Sequence, residues 1–157
     1  MKKNKGFSLV ELIIVIAIMA ILAAAIAPAL IRYIDKSRKA SDVSTGGTIQ
    51  TAVQAALANE LAYDEIISVV GTDASGIYVL GVQGSTLASP SGMGSFGAEM
   101  ASSLTDNFKV KYKKDQQSAF NVYVTGTGTV KVFAATTTGG NANTAWQLVP
   151  SVGASYQ

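Results

Sequence analysis

A chain of 157 residues, 48% of them hydrophobic and 14% charged, has room for one modest domain and not for two well-filled ones. It contains no cysteine and no histidine, which removes disulfides, thiol chemistry and the commonest general base and metal ligand. The formal +2 becomes 9 basic against 10 acidic side chains once Lys2, Lys3 and Lys5 are set aside, with 5 basic against 8 acidic beyond Lys39, so overall charge gives nucleic-acid binding no support.

The first six residues, Met1–Gly6, are short, basic and end in glycine. From Phe7 to Ile34 nearly every residue is apolar, and the uncharged run Leu12–Ile31 holds twenty residues, about 30 Å as a helix and so one hydrocarbon thickness. Arg32, Lys36, Arg38 and Lys39 close it with charge, relieved by Asp35. Three readings fit such a segment. A secretory signal peptide also begins with lysines, and Ala23–Ala29 could offer its cut site, but its apolar region should span only about 7–15 residues. A plain anchor would keep the lysines cytoplasmic by the positive-inside bias. The third reading is a helix that stays in the membrane only until it is built into something else.

Glu11 separates these readings. A carboxylate at the centre of a membrane helix costs on the order of 2.5–3.5 kcal/mol, less toward an end, and calls for a partner. No cation lies on its helical face in the uncut chain, since Lys5 is six residues back. Cutting after Gly6 would create one at Phe7, four residues and about 6 Å of helix rise away. A neighbouring copy shifted along the axis could supply its own amine instead. The plainer alternative is a carboxylate snorkelling to the interface.

The stretch KGFSLVELIIVIAIMAILAAAIAP resembles the class III signal of type IV prepilins, which joins a short basic leader, Gly, Phe-Ser-Leu-Val-Glu and a long apolar helix. The resemblance covers about the first thirty-five residues strongly and the remainder only as architecture. It implies that a membrane prepilin peptidase cuts between Gly6 and Phe7, Gly6 being the small residue required at the cut, and methylates the new Phe7 amine. It implies that Glu11 pairs with the Phe7 amine of an adjacent subunit. The partners it implies are identical subunits in a helical filament, that peptidase and a pilus assembly platform in the membrane. Pro28 and Tyr33 fall where pilins commonly have Pro and Tyr. Many pilins carry Gly where this chain has Ala20, so helix loosening in a filament is expected to be smaller here or to centre on Pro28.

Small residues recur along the apolar helix at Ala17, Ala20 and Ala24 and again at Ala23 and Ala27, a spacing that permits close helix–helix approach in lipid. Pro28 removes one backbone donor, so a kink or lost hydrogen bonds are expected there. Beyond it, Ile49, Val53, Leu57 and Leu61 repeat every four residues. One long helix over Phe7–Ala62 is expected, softened at Pro28 and Gly46-Gly47 and closed at Tyr63-Asp64.

The remainder reads as a small soluble head. Ile77–Val82 is an expected short strand, Ser85–Gly97 a Gly/Ser/Pro-rich loop and Ala98–Leu104 a helical turn. Alternating patterns at Phe108–Tyr112, Phe120–Val124 and Val130–Ala134, with turns at Asp115–Ser118 and Gly126–Gly128, predict an antiparallel meander, and Trp146–Val149 an edge strand. The fold class is therefore α+β: a long N-terminal helix, half transmembrane and half amphipathic, packed on a C-terminal antiparallel sheet. The expected organisation is a leader at 1–6, a transmembrane and assembly helix at 7–34 and an extracellular head at 35–157. Without cysteine, hydrogen bonding and packing must hold the C-terminal region.

Weaker signals have ordinary explanations. Gly92, Gly94 and Gly97 satisfy G-x-G-x-x-G but lack the strand–helix context of a dinucleotide site, and a loop is expected. Lys109, Lys111, Lys113 and Lys114 form a basic edge that could touch DNA or an anionic surface, although such alternation is more often the solvated side of a strand. Asp64, Glu65 and Asp73 lack the spacing of a calcium loop, and Thr136–Thr144 is an expected exposed polar loop. No nucleophile–base pair can be proposed, so no catalytic residue, cofactor or metal site is expected. Processing residues Gly6 and Phe7 and assembly residues Glu11, Ala20, Ala24 and Pro28 carry the leading reading: a structural pilus subunit, a major pilin, inserted in the cytoplasmic membrane and then assembled into an extracellular filament. The alternatives are a minor pilin, a pseudopilin of a type II secretion or DNA-uptake system, and a monomeric membrane-anchored adhesin.

Overall fold

The Ala-, Leu- and Ile-rich sequence that opens the chain has strong helix propensity, and in the computed structural model, which describes residues 7–89, 93–105, 107–140 and 142–157, it forms helix α1 (Leu9–Ala56). Pro28 lies inside α1 without ending it; lacking an N–H, it leaves the Ala24 carbonyl without its usual donor. Gly46 and Gly47 are also helical. The chain divides into two compact units, one reaching Ser37 and the other spanning Arg38–Gln157, and α1 runs through the boundary. In the first unit the large apolar residues from Phe7 to Ile34 are all exposed.

The second unit begins with the other part of α1. Its buried positions, Asp42, Gly46, Ile49, Val53 and Ala56, step by four and three residues and so share one helical face. The helix does not continue to Ala62. Ala58 and Asn59 N–H groups donate to the carbonyls of Ala55 and Ala56 at 3.1 and 3.0 Å, a tightening that ends the α-helical ladder. The Asn59 side chain then accepts from Leu61 N–H at 3.1 Å and caps a new helix, α2 (Glu60–Val70). This break corrects the expected single helix. Leu61, expected in the buried stripe, is 68% exposed, while Ala62, Ile66 and Val70 enter the core in its place. Tyr63-Asp64 closes nothing; α2 ends at Gly71, whose N–H donates to Ile67 O.

The head is a five-stranded antiparallel sheet in the order β2-β1-β3-β4-β5, built from β1 (Ile77–Gln83), β2 (Thr86–Ala88), β3 (Ala119–Val124), β4 (Val130–Ala135) and β5 (Gln147–Val149). Between β2 and β3 lies α3 (Gly94–Ser103), longer than the expected helical turn and beginning inside the expected loop. Ile49, Val53 and Ala56 join Phe120, Val122, Val124, Val132 and Leu148 in one core, the helix-on-sheet arrangement predicted from the patterns. Where α1 meets β5 the fit is tight: a Cβ at Gly46 would lie 3.0 Å from Leu148 Cβ.

Two further expectations need correction. The segment Phe108–Tyr112 alternates in burial as predicted, with Val110 buried and Lys109 and Lys111 exposed, yet it contributes one isolated bridge, Phe108 with Gly84, and no strand. Its next donors are taken elsewhere, because the N–H groups of Lys111 and Tyr112 each donate to the Asp42 carboxylate at 2.8 Å. The polar loop at 136–140 is also more than a solvated connection. Thr137 O and Gly140 O accept from Asn121 Nδ2, Gly139 N–H donates to Asn121 Oδ1, and the Tyr123 hydroxyl donates to Gly140 O. Both faces of β3 are consequently buried. At Gly81 a Cβ would fall 2.6 Å from Thr138 Cβ, so no larger residue fits beneath that loop.

Asp42 is the polar centre of the head. It is fully buried and accepts a third bond, from Tyr156 OH at 3.1 Å. Tyr156 lies edge-on to Tyr112 and Trp146, with centroids 5.5 and 5.9 Å away. Lys39 Nζ sits over the Tyr112 ring and donates to the Gln157 main-chain oxygen at 2.9 Å. One carboxylate on α1 thus ties residues 111–112 and 156 to the helix, a role the absence of cysteine leaves to hydrogen bonds.

Candidate processing and assembly site

Ser8 stands just before α1 and Glu11 is the third residue of its first turn. That S-x-x-E spacing is a capping box. The Glu11 carboxylate accepts from Ser8 N–H at 2.8 Å, the Ser8 hydroxyl accepts from Val10 N–H at 3.4 Å, and Ser8 O receives Leu12 N–H at 3.2 Å. The positive end of the helix dipole favours a carboxylate at this position. Glu11 therefore has a local, neutral partner that the sequence reading did not assign. The signal was legible, because Ser three residues before Glu ahead of an apolar run marks a helix start.

Phe7 precedes this box and is 80% exposed. Gly6 and the rest of the expected leader lie outside the described residues. The backbone thus brings Phe7, Ser8 and Glu11 together, with the Glu11 carboxylate folded back toward the residue that follows the expected cut. Ala20, Ala24 and Pro28 lie further along α1 at four-residue steps, on one exposed face. Along it, small side chains coincide with the carbonyl that Pro28 leaves unpaired, and they do not adjoin Glu11. The whole apolar segment is long enough to cross a membrane, a test that a signal sequence passes as well.

Several other candidate positions are engaged elsewhere. Gly92 lies outside the described residues, whereas Gly94 and Gly97 fall within α3, so the expected loop is a helix start there. The N–H groups of Ser95 and Phe96, where a phosphate would sit, both donate to the Glu65 carboxylate at 3.0 Å. Those two bonds hold the Glu65 carboxyl below the usual carboxylate range. Asp73 Oδ1 accepts from Ser75 N–H. Among the described residues no cluster of His, Cys, Asp or Glu could hold a metal ion.

A short basic segment, a capped carboxylate and a long exposed apolar helix follow one another at the start of the chain. The prokaryotic N-terminal methylation motif matches residues 1–27, so the segment identified by resemblance is a type IV pilin signal. The chain is also 51% identical over 57 residues to Fimbrial protein Q of Moraxella bovis, a match that covers 36% of this chain and 36% of that protein. It thus spans about a third of the relative's length. No solved structure matches the chain.

Proposed function

We propose that the chain is the precursor of a structural type IV pilus subunit, a major pilin. A peptidase cuts it between Gly6 and Phe7 and methylates the new Phe7 amine. The subunit waits in the cytoplasmic membrane on its apolar helix and is then drawn by an assembly platform into an extracellular filament of identical copies. The observation that carries this reading is the Glu11 carboxylate at the head of an exposed apolar helix, inside a methylation motif that spans residues 1–27. Before assembly the Ser8 N–H and the helix dipole offset part of its desolvation. On assembly the Phe7 amine of an adjacent copy supplies the missing positive charge, and the face of Ala20, Ala24 and Pro28 lets helices approach closely.

Capping and pairing make different demands on the side chain. Glutamine also serves at this position of a capping box but carries no charge. Glu11→Gln is therefore expected to leave membrane insertion and cleavage intact and to cut the yield of sheared fibre by at least about tenfold, one hydrogen-bonded charge pair at about 1.5–3 kcal/mol. Wild-type fibre yield from that variant would mean that Glu11 serves only to start the helix.

A further inference from the structure

A cavity of about 240 Å³ opens on the head beside β4, lined by Asp115, Gln117, Ala134, Thr136, Asn143 and Trp146 among others. Two of its polar side chains have one atom committed. Gln117 Oε1 accepts from Asp115 N–H and Asn143 Oδ1 from Ala145 N–H, each at 3.0 Å. Only an amide oxygen can accept a backbone N–H, so both orientations are fixed, and each side chain presents its NH₂ group as a donor. Gln117 is 3% exposed, which makes its amide part of the wall rather than a mobile surface group. The Asp115 carboxylate is acceptor-only. Trp146, half-buried and held edge-on by Tyr156, adds a rigid apolar surface.

That combination is selective. An anion would satisfy the two amides but meet Asp115, and a compact cation would satisfy Asp115 but leave the amides without acceptors. A hydroxyl both donates and accepts, so neighbouring ring hydroxyls satisfy all three groups while the C–H face of the ring covers the indole. The volume lies below the roughly 300–1,000 Å³ of pockets that enclose a whole drug-sized ligand, which suits a single ring. We propose that this cavity is a subsite for one neutral pyranose unit, with Asp115 accepting and Gln117 and Asn143 donating. It is separate from the N-terminal site, and its test needs neither cleavage nor filament formation.

Trp146 is the sole tryptophan and reports on the pocket directly. Detergent-solubilised full chain is titrated with methyl α-mannoside, methyl β-galactoside and N-acetylglucosamine while its fluorescence is followed. A saturable, millimolar response to at least one sugar is expected. Asp115→Asn and Asn143→Asp, which preserve size and leave the backbone bonds in place, are each expected to weaken it by at least about tenfold with an unchanged melting temperature. Tighter binding of an oligosaccharide of the same sugar identifies a glycan chain as the source, and equal affinity a free sugar. The proposal is overturned if no sugar saturates the signal, if neither variant weakens it, or if tetramethylammonium or inorganic phosphate gives the response and the sugars do not.

Discussion

Replacing Gly46 or Gly47 with alanine makes the same chemical change one residue apart on the same helix, and the structure gives the two opposite consequences. Alanine is better than glycine in a helix by up to about 1 kcal/mol, wherever it is placed. At Gly47 nothing beyond the helix's own adjacent backbone lies within 4 Å of the added methyl, so the gain should appear undiminished. At Gly46 the methyl would meet Leu148 Cβ at 3.0 Å and Cδ1 at 3.2 Å. The nearer atom is fixed to the backbone of β5, and Leu148 is fully buried, so the contact is relieved only by moving strand or helix. Overpacking of that kind costs about 1–3 kcal/mol. Because helix propensity cancels between the variants, their difference isolates the steric term: Gly47→Ala should exceed Gly46→Ala by about 1–3 kcal/mol, or roughly 4–12 °C in melting temperature for a unit of this size. The assay is thermal unfolding of the detergent-solubilised chain followed by Trp146 fluorescence. Equal shifts, or stabilisation by Gly46→Ala as large as that by Gly47→Ala, would show that α1 and β5 do not meet as described.

Two further outcomes follow from the polar contacts of the head. Asp42→Ala strands three donors that now converge on one buried carboxylate, the Tyr156 hydroxyl buried and the Lys111 and Tyr112 N–H groups part-buried, and at about 1–3 kcal/mol for a fully buried unsatisfied group and less for a part-buried one it should destabilise by about 2–4 kcal/mol, against about 1 kcal/mol for Tyr156→Phe; the same melts check both. The pH dependence has two limbs. The Glu65 carboxyl is lowered by the Phe96 and Ser95 N–H bonds, so its contribution is complete above the ordinary glutamate range near pH 4.3 and is lost as pH falls through the lowered value; amide exchange at Ser95 and Phe96 should accelerate there, and Glu65→Gln should abolish that acid dependence. The Tyr156 phenol is raised by burial and by Asp42, so the stability it supplies is complete below about pH 10 and declines above it, as the unfolded chain ionises first; Tyr156→Phe should flatten this alkaline limb in pH-dependent melts.

Local signals are legible in the sequence. The apolar run, the period-two patterns of β3 and β4 and the edge strand before Pro150 each lie within a few consecutive residues, and all formed. What escaped was long-range or masked by a stronger pattern. Asn59 broke the helix because its side chain offers the backbone a cap, a signal hidden by the four-residue repeat that runs through it to Leu61. Phe108–Tyr112 has the alternation of a strand without the ladder, since alternation records burial and not where the N–H groups go. The competing acceptor, Asp42, lies 69 residues away from Lys111. Gly46 read as a weak point and proved to be a close approach to Leu148, which sequence spacing cannot reveal. At the N-terminus Phe7 and Glu11 stand out through a motif. The same few residues also contain the Ser8 cap, which propensity rules alone would have found.

The central claim is that the leader is removed between Gly6 and Phe7 and that the helix it exposes is the polymerising element. Mass spectrometry of filament material sheared from the cell surface tests it most directly. The account predicts a chain beginning at Phe7 and carrying one added methyl on its amine. Sheared filaments whose chains retain Met1, or begin near Leu30, would contradict it.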